Sequence, residues 1–176
     1  AALAALRAAA APQPSNRTTY LALGDSITWG CGTDQAPGAY PLCPPDAGGY
    51  RVPLIWALEQ DGRVVTTMGT LTSGPANLPA AWMKHEGLPG ARIDQIDGLL
   101  NTTFASHLEP PTLVTIHLGT NDCGQGTNLT NTTEVMVARM ASLLTHVQQH
   151  APRAEVFLAS VIGNTPRYRN HLGCIL

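Results

Sequence analysis

The chain is poor in positive charge and has no long apolar run. Lys84 is its single lysine, the formal net charge is −2, and 12% of its 176 residues are charged. Nucleic-acid binding is disfavoured, because affinity for a phosphate backbone depends on clustered Lys and Arg. No apolar stretch is long enough to cross a bilayer. We therefore expect neither a nucleic-acid partner nor a membrane span.

Signatures of nucleotide and metal sites are also missing. The first predicted strand-to-helix turn has neither a Gly-x-Gly-x-x-Gly pattern nor a phosphate-loop lysine, which argues against a nucleotide-binding domain. There is no Cys-x-x-Cys and no cluster of histidines, so neither a metal nor a cofactor is expected. A chain of 176 residues, 44% hydrophobic, is nevertheless long enough for one domain with its own core.

What the chain does contain is a serine placed directly after an apolar run. Residues 20–23 read Tyr-Leu-Ala-Leu, and Gly24-Asp25-Ser26 follows them. A short strand that ends in this way delivers a serine to the carboxyl edge of a sheet, where open α/β folds bind their ligands. Ser26 is therefore a candidate nucleophile, although Gly, Asp and Ser also form ordinary turns.

Two later predicted strands also end in small or polar residues. Residues 65–68 are followed by Gly69, residues 113–118 are followed by Gly-Thr-Asn-Asp, and a fourth strand is predicted over 155–161. Helices are predicted over about 50–60, over about 92–107, and from Asn131 to just before Pro152. Strands that alternate with helices predict a parallel sheet covered on both faces.

His117 lies in a predicted strand and is expected to be a hydrogen-bonded core histidine. Each predicted helix carries an apolar stripe that we expect to face the sheet. The stripe residues are Tyr50, Leu54 and Leu58; Ile93, Ile96, Leu100 and Phe104; and Met136, Met140, Leu143, Leu144 and Val147.

The order Gly-Asp-Ser, then an isolated Gly, then Gly-Thr-Asn-Asp resembles the SGNH hydrolases, the GDSL-like esterase superfamily, over roughly residues 18–165. The resemblance implies a three-layer, flavodoxin-like α/β fold and ester hydrolysis through an acyl-enzyme at Ser26. It also implies an oxyanion hole made of the Ser26 and Gly69 N–H groups and the Asn121 side chain. Asp25 and Asp122 would then be acceptors that brace the loops.

Two further segments narrow the resemblance. Gly49-Tyr50-Arg51 and the run His85-Glu86-Gly87-Leu88-Pro89-Gly90 are similar to family-three carbohydrate esterases and to secreted fungal relatives, which include acetyl xylan esterases. This similarity implies a small-molecule or polysaccharide ester, above all an acetyl ester, as the substrate. His85 is a possible pocket residue, and a histidine that braces the backbone is the alternative.

The Asp-x-x-His block that completes the SGNH triad is absent from this sequence. A serine hydroxyl needs a histidine to take its proton, and that histidine needs a carboxylate. We expect a domain over 18–165 that is truncated after the fourth strand, between an Ala-rich segment, 1–17, and an atypical tail, 166–176. The alternative is that His171 acts as the base. A protein that binds esters or carbohydrate without hydrolysis is the second functional hypothesis.

Sequons and cysteines predict a secreted glycoprotein. Residues 1–11 resemble the end of a secretory signal. The Asn-x-Ser/Thr sequons begin at Asn16, Asn101, Asn128 and Asn131. The cysteines are Cys31, Cys43, Cys123 and Cys174, which allow three disulfide connectivities or free thiols. The closest pair, Cys31 and Cys43, brackets the Gly- and Pro-rich loop that follows Ser26.

Overall fold

The computed structural model of the chain describes residues 16–31, 43–125 and 132–160, which form a mixed α/β domain. In chain order the elements are β1 (Arg17–Gly24), α1 (Ser26–Trp29), α2 (Arg51–Gln60), β2 (Val64–Met68), β3 (Leu71–Thr72), a 3₁₀ turn (Ala80–Trp82), β4 (Lys84–Gly87), α3 (Ile93–Ala105), β5 (Leu113–His117), α4 (Thr120–Gln125), α5 (Thr133–His150) and β6 (Glu155–Leu158).

β1 is the central strand of the sheet. It pairs in parallel with β5 along one edge, and β6 continues the sheet beyond β5. The other edge of β1 is shared: β2 pairs with residues 17–21, and β4 pairs only with Leu23 and Gly24. β3 is antiparallel to β4 and is the one described strand that departs from the parallel arrangement. The predicted α/β class with a parallel sheet is confirmed.

Helices cover both faces of the sheet. α3 and α5 pack on one face through the aliphatic residues that their helical spacing predicts. α2 packs on the other face, where Ile55 meets Tyr20, Ala22, Val65 and Leu113. Among the described residues, no helix combines the length and the apolar character needed to cross a membrane.

The structure corrects several predicted elements. β3 and β4 lie in the stretch 70–90, outside every strand that the sequence predicts. In α2 the fully buried residues are Arg51 and Ile55, whereas the predicted Leu54 and Leu58 are only partly buried. The N-cap of α5 is Thr132, whose side chain accepts from the Val135 N–H, and the predicted cap, Asn131, lies outside the described residues. β1 begins at Arg17, inside the segment predicted to be a linker.

Candidate functional site

Asn121 brings three strand ends together. It lies in the first turn of α4, directly after β5. Its Nδ2 donates to Asp25 Oδ2 at 3.2 Å and to the carbonyl oxygen of Ala91 at 2.9 Å. Asp25 follows β1 and Ala91 follows β4, so one side chain joins the carboxyl ends of three neighbouring parallel strands. Open α/β folds place their ligands at this edge of the sheet.

Ser26 is the first residue of α1 and is half-buried. Asp25 is the N-cap of this helix, and its Oδ1 accepts from the Ile27 N–H at 2.9 Å. A serine at the start of a helix lies where the backbone N–H groups have no partner inside the helix. No imidazole nitrogen of the described residues is hydrogen-bonded to the Ser26 hydroxyl.

Both aspartates predicted to brace the loops are fully buried. Asp122 Oδ1 accepts from Arg139 at 2.8 Å, and its Oδ2 accepts from the Ile93 N–H at the start of α3. Burial raises the pKa of Asp25, even though the hydrogen bond from Ile27 opposes the shift. These contacts tie the loops after β1 and β5 to the helices around them, which is the geometry of bracing acceptors.

Gly69 lies away from this edge. β2 ends at Met68, which is in register with Leu21, before β1 reaches Gly24. The N–H of Gly69 donates to His107 Nε2 at 3.0 Å, and a Cβ at this position would collide with the backbone of His85. The position of Gly69 therefore gives no support to its predicted role as an oxyanion donor.

β4 takes the place beside the Ser26 loop that was expected for β2. Gly87 is in register with Gly24, and the Leu88 N–H donates to the Gly24 carbonyl at 3.0 Å. Gly90 follows in the same turn with a φ of 80°, a conformation that favours glycine. A cluster of glycines after residues 84–86 is the signal that could have identified this strand end.

His85 is a strand residue of β4 and is completely buried. Its Nδ1 accepts from the Gly87 N–H at 2.9 Å, so the neutral ring donates from Nε2 to Ser73 Oγ, also at 2.9 Å. Burial lowers the pKa of His85 to about 3, and Arg51 adds to the shift. Of its two predicted roles, bracing the backbone fits this geometry, and lining a pocket does not.

Arg51 is a buried cation that sequence reasoning missed. Only 1% of it is exposed, and its Nε donates to the Thr28 carbonyl at 2.7 Å. Its Nη2 donates to Ser73 Oγ at 2.8 Å. Burial lowers the pKa of this guanidinium to about 10. The signal was available, because Arg51 stands four residues before Ile55 on the buried stripe of α2.

His117 and Thr120 carry buried polar atoms without partners. His117 is 7% exposed at the end of β5, and its ring lies 6.3 Å from that of Tyr50. Among the described residues, His117 Nδ1, Thr120 Oγ1 and Arg51 Nη1 are buried without a hydrogen-bond partner. His117 is therefore a core residue, as predicted, but its Nδ1 lacks the expected hydrogen bond. No group of three or more metal-binding side chains occurs in the part of the chain that the structure describes.

The structure also locates two sequons and one disulfide. Asn16 and Asn101 are both exposed, whereas Asn128 and Asn131 lie outside the described residues. Cys31 and Cys43 form a disulfide, which selects one of the pairings left open by the sequence. Cys123 is also disulfide-bonded, and Cys174 lies outside the described residues. Secretion and glycosylation remain predictions.

Comparison with known proteins gives a family match for this chain. The sequence model of the GDSL-like Lipase/Acylhydrolase family matches residues 22–173. A search of curated proteins gives no match.

Three solved structures with a similar fold are all esterases. The Clostridium thermocellum family 3 carbohydrate esterase is 24% identical with a TM-score of 0.67, and the match covers 90% of this chain and 69% of that one. A family 3 carbohydrate esterase from Talaromyces cellulolyticus is 20% identical with a TM-score of 0.53, covering 80% and 60%. AlinE4, an SGNH-hydrolase family esterase, is 16% identical with a TM-score of 0.57, covering 92% and 68%.

The chain thus spans 60% of the length of the Talaromyces esterase and about two-thirds of the other two. At these identities the likeness shows a shared fold, and a fold alone does not fix a substrate.

Proposed function

Because this chain belongs to the GDSL-like lipase/acylhydrolase family, we propose that it hydrolyses small acyl esters, with Ser26 as the nucleophile. The observation that carries the proposal is the position of Asn121. Its side chain links Asp25, next to Ser26, to Ala91 at the end of the neighbouring strand. A serine at a helix start and a side-chain amide donor therefore share one edge of the sheet, as acyl transfer requires.

The proposed reaction begins with attack of Ser26 Oγ on the ester carbonyl carbon. The C=O electron pair moves to the oxygen, and the proton of the hydroxyl passes to a base. Collapse of the tetrahedral intermediate breaks the bond from carbon to the alcohol oxygen, which takes the proton from the base and leaves as the neutral alcohol, while the acyl group stays on Ser26. Water then repeats the sequence and releases the acid. The N–H of Ser26 and Nδ2 of Asn121 are the proposed donors to the oxyanion, because both lie at this edge. Both hydrogens of Nδ2 have partners in this structure, so donation to the oxyanion would replace its longer bond, 3.2 Å to Asp25.

We assign the second backbone donor to Gly90 rather than to Gly69. Gly69 lies below the edge, and its N–H donates to His107. Gly90 lies in the turn between Gly87, which is in register with Gly24, and Ala91, whose carbonyl accepts from Asn121. Its positive φ suits a residue whose backbone must approach a ligand closely.

Acetyl esters of carbohydrates are the proposed substrate class. The support is the similarity of residues 49–51 and 85–90 to family-three carbohydrate esterases, together with two family 3 carbohydrate esterases of similar fold. A protein that binds such esters without hydrolysis is the second candidate. It is favoured by the observation that no described histidine is hydrogen-bonded to Ser26.

The experiment that tests the proposal is hydrolysis of 4-nitrophenyl acetate by the full chain. We expect Ser26→Ala to remove the activity, and Asn121→Ala to lower kcat roughly a hundred- to thousand-fold, because it removes one oxyanion donor. Ser142→Ala is the matched control, since Ser142 lies on α5 and donates to Asp97. Its rate should equal that of the wild type.

Two results would count against hydrolysis at Ser26. Activity that survives in Ser26→Ala would assign the reaction to another residue. A background rate in the wild type would leave the binding protein as the better description. Retention of acetylated xylan by immobilised Ser26→Ala, measured against deacetylated xylan, would then test that second candidate.

A further inference from the structure

The helix that carries Ser26 lies between two buried charges of opposite sign. α1 has only 4 residues, and an isolated helix of that length has no stability of its own in water. The Asp25 carboxylate at its start is completely buried. At its other end, the Arg51 guanidinium donates to the carbonyls of Thr28 at 2.7 Å and Trp29 at 3.4 Å. A carboxylate at the N-terminus and a cation at the C-terminus both complement the helix dipole.

The contacts of Arg51 are those of an anchor rather than of an ion pair. Its described partners are carbonyl oxygens and the Ser73 hydroxyl, and no carboxylate is among them. A buried cation without a counter-ion is costly. Acceptors for Nε and Nη2 offset part of this cost, whereas Nη1 is buried with no hydrogen-bond partner among the described residues. The planar guanidinium reaches acceptors on three segments at once, which the single ammonium of a lysine cannot do.

The backbone around α1 is built to admit this arginine. Gly30 is the C-cap of α1 with a φ of 98°, and a Cβ there would collide with the backbone of Gly49. A Cβ at Gly49 would lie 2.9 Å from the carbonyl oxygen of Ile27. These two glycines allow the start of α2 to approach the end of α1, and this approach brings Arg51 within reach.

We propose that Arg51 is a positioning residue that, with Asp25, fixes α1 and so holds Ser26 in place for attack. The proposal rests on the proposed function, because it takes Ser26 as the nucleophile. Arg51 acts through the backbone of α1 and touches no reacting atom. It would matter for catalysis because a small misplacement of a nucleophile costs far more rate than it costs stability.

The first test is amide hydrogen exchange by NMR in Arg51→Lys. The N–H groups of Gly30 and Cys31 donate to the Ser26 carbonyl at 3.0 and 2.9 Å, so they report directly on α1. We expect both to exchange roughly ten-fold faster than in the wild type, the loss expected when one hydrogen bond to a charged group is removed. The amides of Leu21 and Leu23 in β1 should keep their wild-type rates.

A purely structural role predicts a different pattern. If Arg51 only contributes to global stability, all four amides will exchange faster by one common factor. That result, or unchanged exchange at Gly30 and Cys31, would overturn the proposal. Arg63→Lys is the matched control, because the Arg63 side chain is 42% exposed and pairs with exposed Asp61 at 3.7 Å. Its exchange should not differ from that of the wild type.

The second test measures the reaction of Ser26 with a fluorophosphonate. In Arg51→Lys we expect the maximal inactivation rate to fall roughly ten-fold while the concentration for half-maximal rate stays unchanged, because positioning acts on attack and not on binding. An unchanged inactivation rate alongside faster exchange would overturn the positioning role. If wild-type Ser26 does not react, the proposed function fails, and the exchange pattern alone decides whether Arg51 and Asp25 fix α1.

Discussion

The face of the sheet under α3 and α5 buries mainly apolar side chains, with Glu86, Thr103 and Asp122 as buried polar exceptions, whereas the face under α1 and α2 combines a smaller apolar cluster with a buried hydrogen-bond network. Of the residues that the structure describes, 14 buried ones form one apolar cluster on the first face, from Leu21 and Leu23 in β1 to Leu143 and Val147 in α5. On the second face the apolar cluster has 5 buried residues of this described part. Arg51 and His85 are also buried on this second face, where both are hydrogen-bonded to the Ser73 hydroxyl.

The two faces differ because one stabilises the sheet and the other also fixes the orientation of a helix. Apolar packing is not directional, so it can stabilise the sheet without fixing the orientation of any one group. Hydrogen bonds require particular distances and angles, and a buried network fixes its members relative to one another. The polar face carries α1, which presents Ser26, and so it is the face where orientation matters.

The largest effect on stability should come from the aliphatic face. Leu143 is completely buried in α5. We expect Leu143→Ala to lower the free energy of unfolding by about 2–5 kcal/mol, because it loses buried surface and leaves a cavity. Urea denaturation measures this change. The fluorophosphonate reactivity of Ser26 in the folded variant should match that of the wild type.

Val137→Ala is the control on the same helix, because Val137 is 55% exposed. Its unfolding free energy should change by no more than about 0.5 kcal/mol. If Leu143→Ala lowered the reactivity of Ser26 as much as Arg51→Lys does, the two faces would not have separate roles.

The aliphatic face is also the one that the sequence predicts. Ile93, Ile96 and Leu100 recur at helical spacing, and all three are buried where α3 meets the sheet. The same holds for Met136, Leu143 and Val147 in α5. Apolar periodicity reports burial directly, so no knowledge of tertiary contacts is needed.

The polar face was predicted less well, for physical reasons. Apolar periodicity does not tell which of two strands reaches the end of β1, because β2 and β4 share one edge and differ in register, and the glycines that follow residue 86 are the sequence signal for β4. Gly69 was therefore given a place beside Ser26 that Gly87 and the following turn occupy. Arg51 was missed because a charged residue on a helix is expected to face solvent, although its place four residues before Ile55 puts it on the buried stripe. Most of its acceptors are backbone carbonyls, which no side-chain pattern reveals.

Lowering the pH should reduce the free energy of unfolding by an intermediate amount. The group responsible is His85, which is buried on the polar face. The pKa of His85 is lowered to about 3 in the folded chain, against about 6.5 for an exposed histidine. Between these values the unfolded chain binds a proton that the folded chain does not, so stability falls as the pH falls. Between about pH 7.5 and pH 5 the loss due to His85 should be about 2 kcal/mol.

The measurement is the unfolding free energy of the wild type and of His85→Gln across this pH range. The variant lacks the imidazole, so its profile should be flatter by about 2 kcal/mol, although its stability at neutral pH is lower. Groups common to both proteins cancel in the difference. Parallel profiles would mean that His85 can take up its proton in the folded state, and the polar face would then be more open than its burial indicates.

The smallest loss of stability is expected when the hydroxyl of Thr115 in β5 is removed. Thr115 Oγ1 is hydrogen-bonded to the hydroxyl of Tyr20 at 2.8 Å and to that of Tyr50 at 3.3 Å. Tyr20 is 1% exposed, and burial raises its pKa. Thr115→Val keeps the shape but leaves the Tyr20 hydroxyl without this partner, so we expect a loss of about 1 kcal/mol in urea denaturation.

Thr145→Val is the matched control, because Thr145 is exposed and its hydroxyl donates within α5, to the Ala141 carbonyl. Equal losses in the two variants would show that the hydroxyl network adds nothing to the polar face, and the contrast between the faces would then rest on Arg51 and His85 alone.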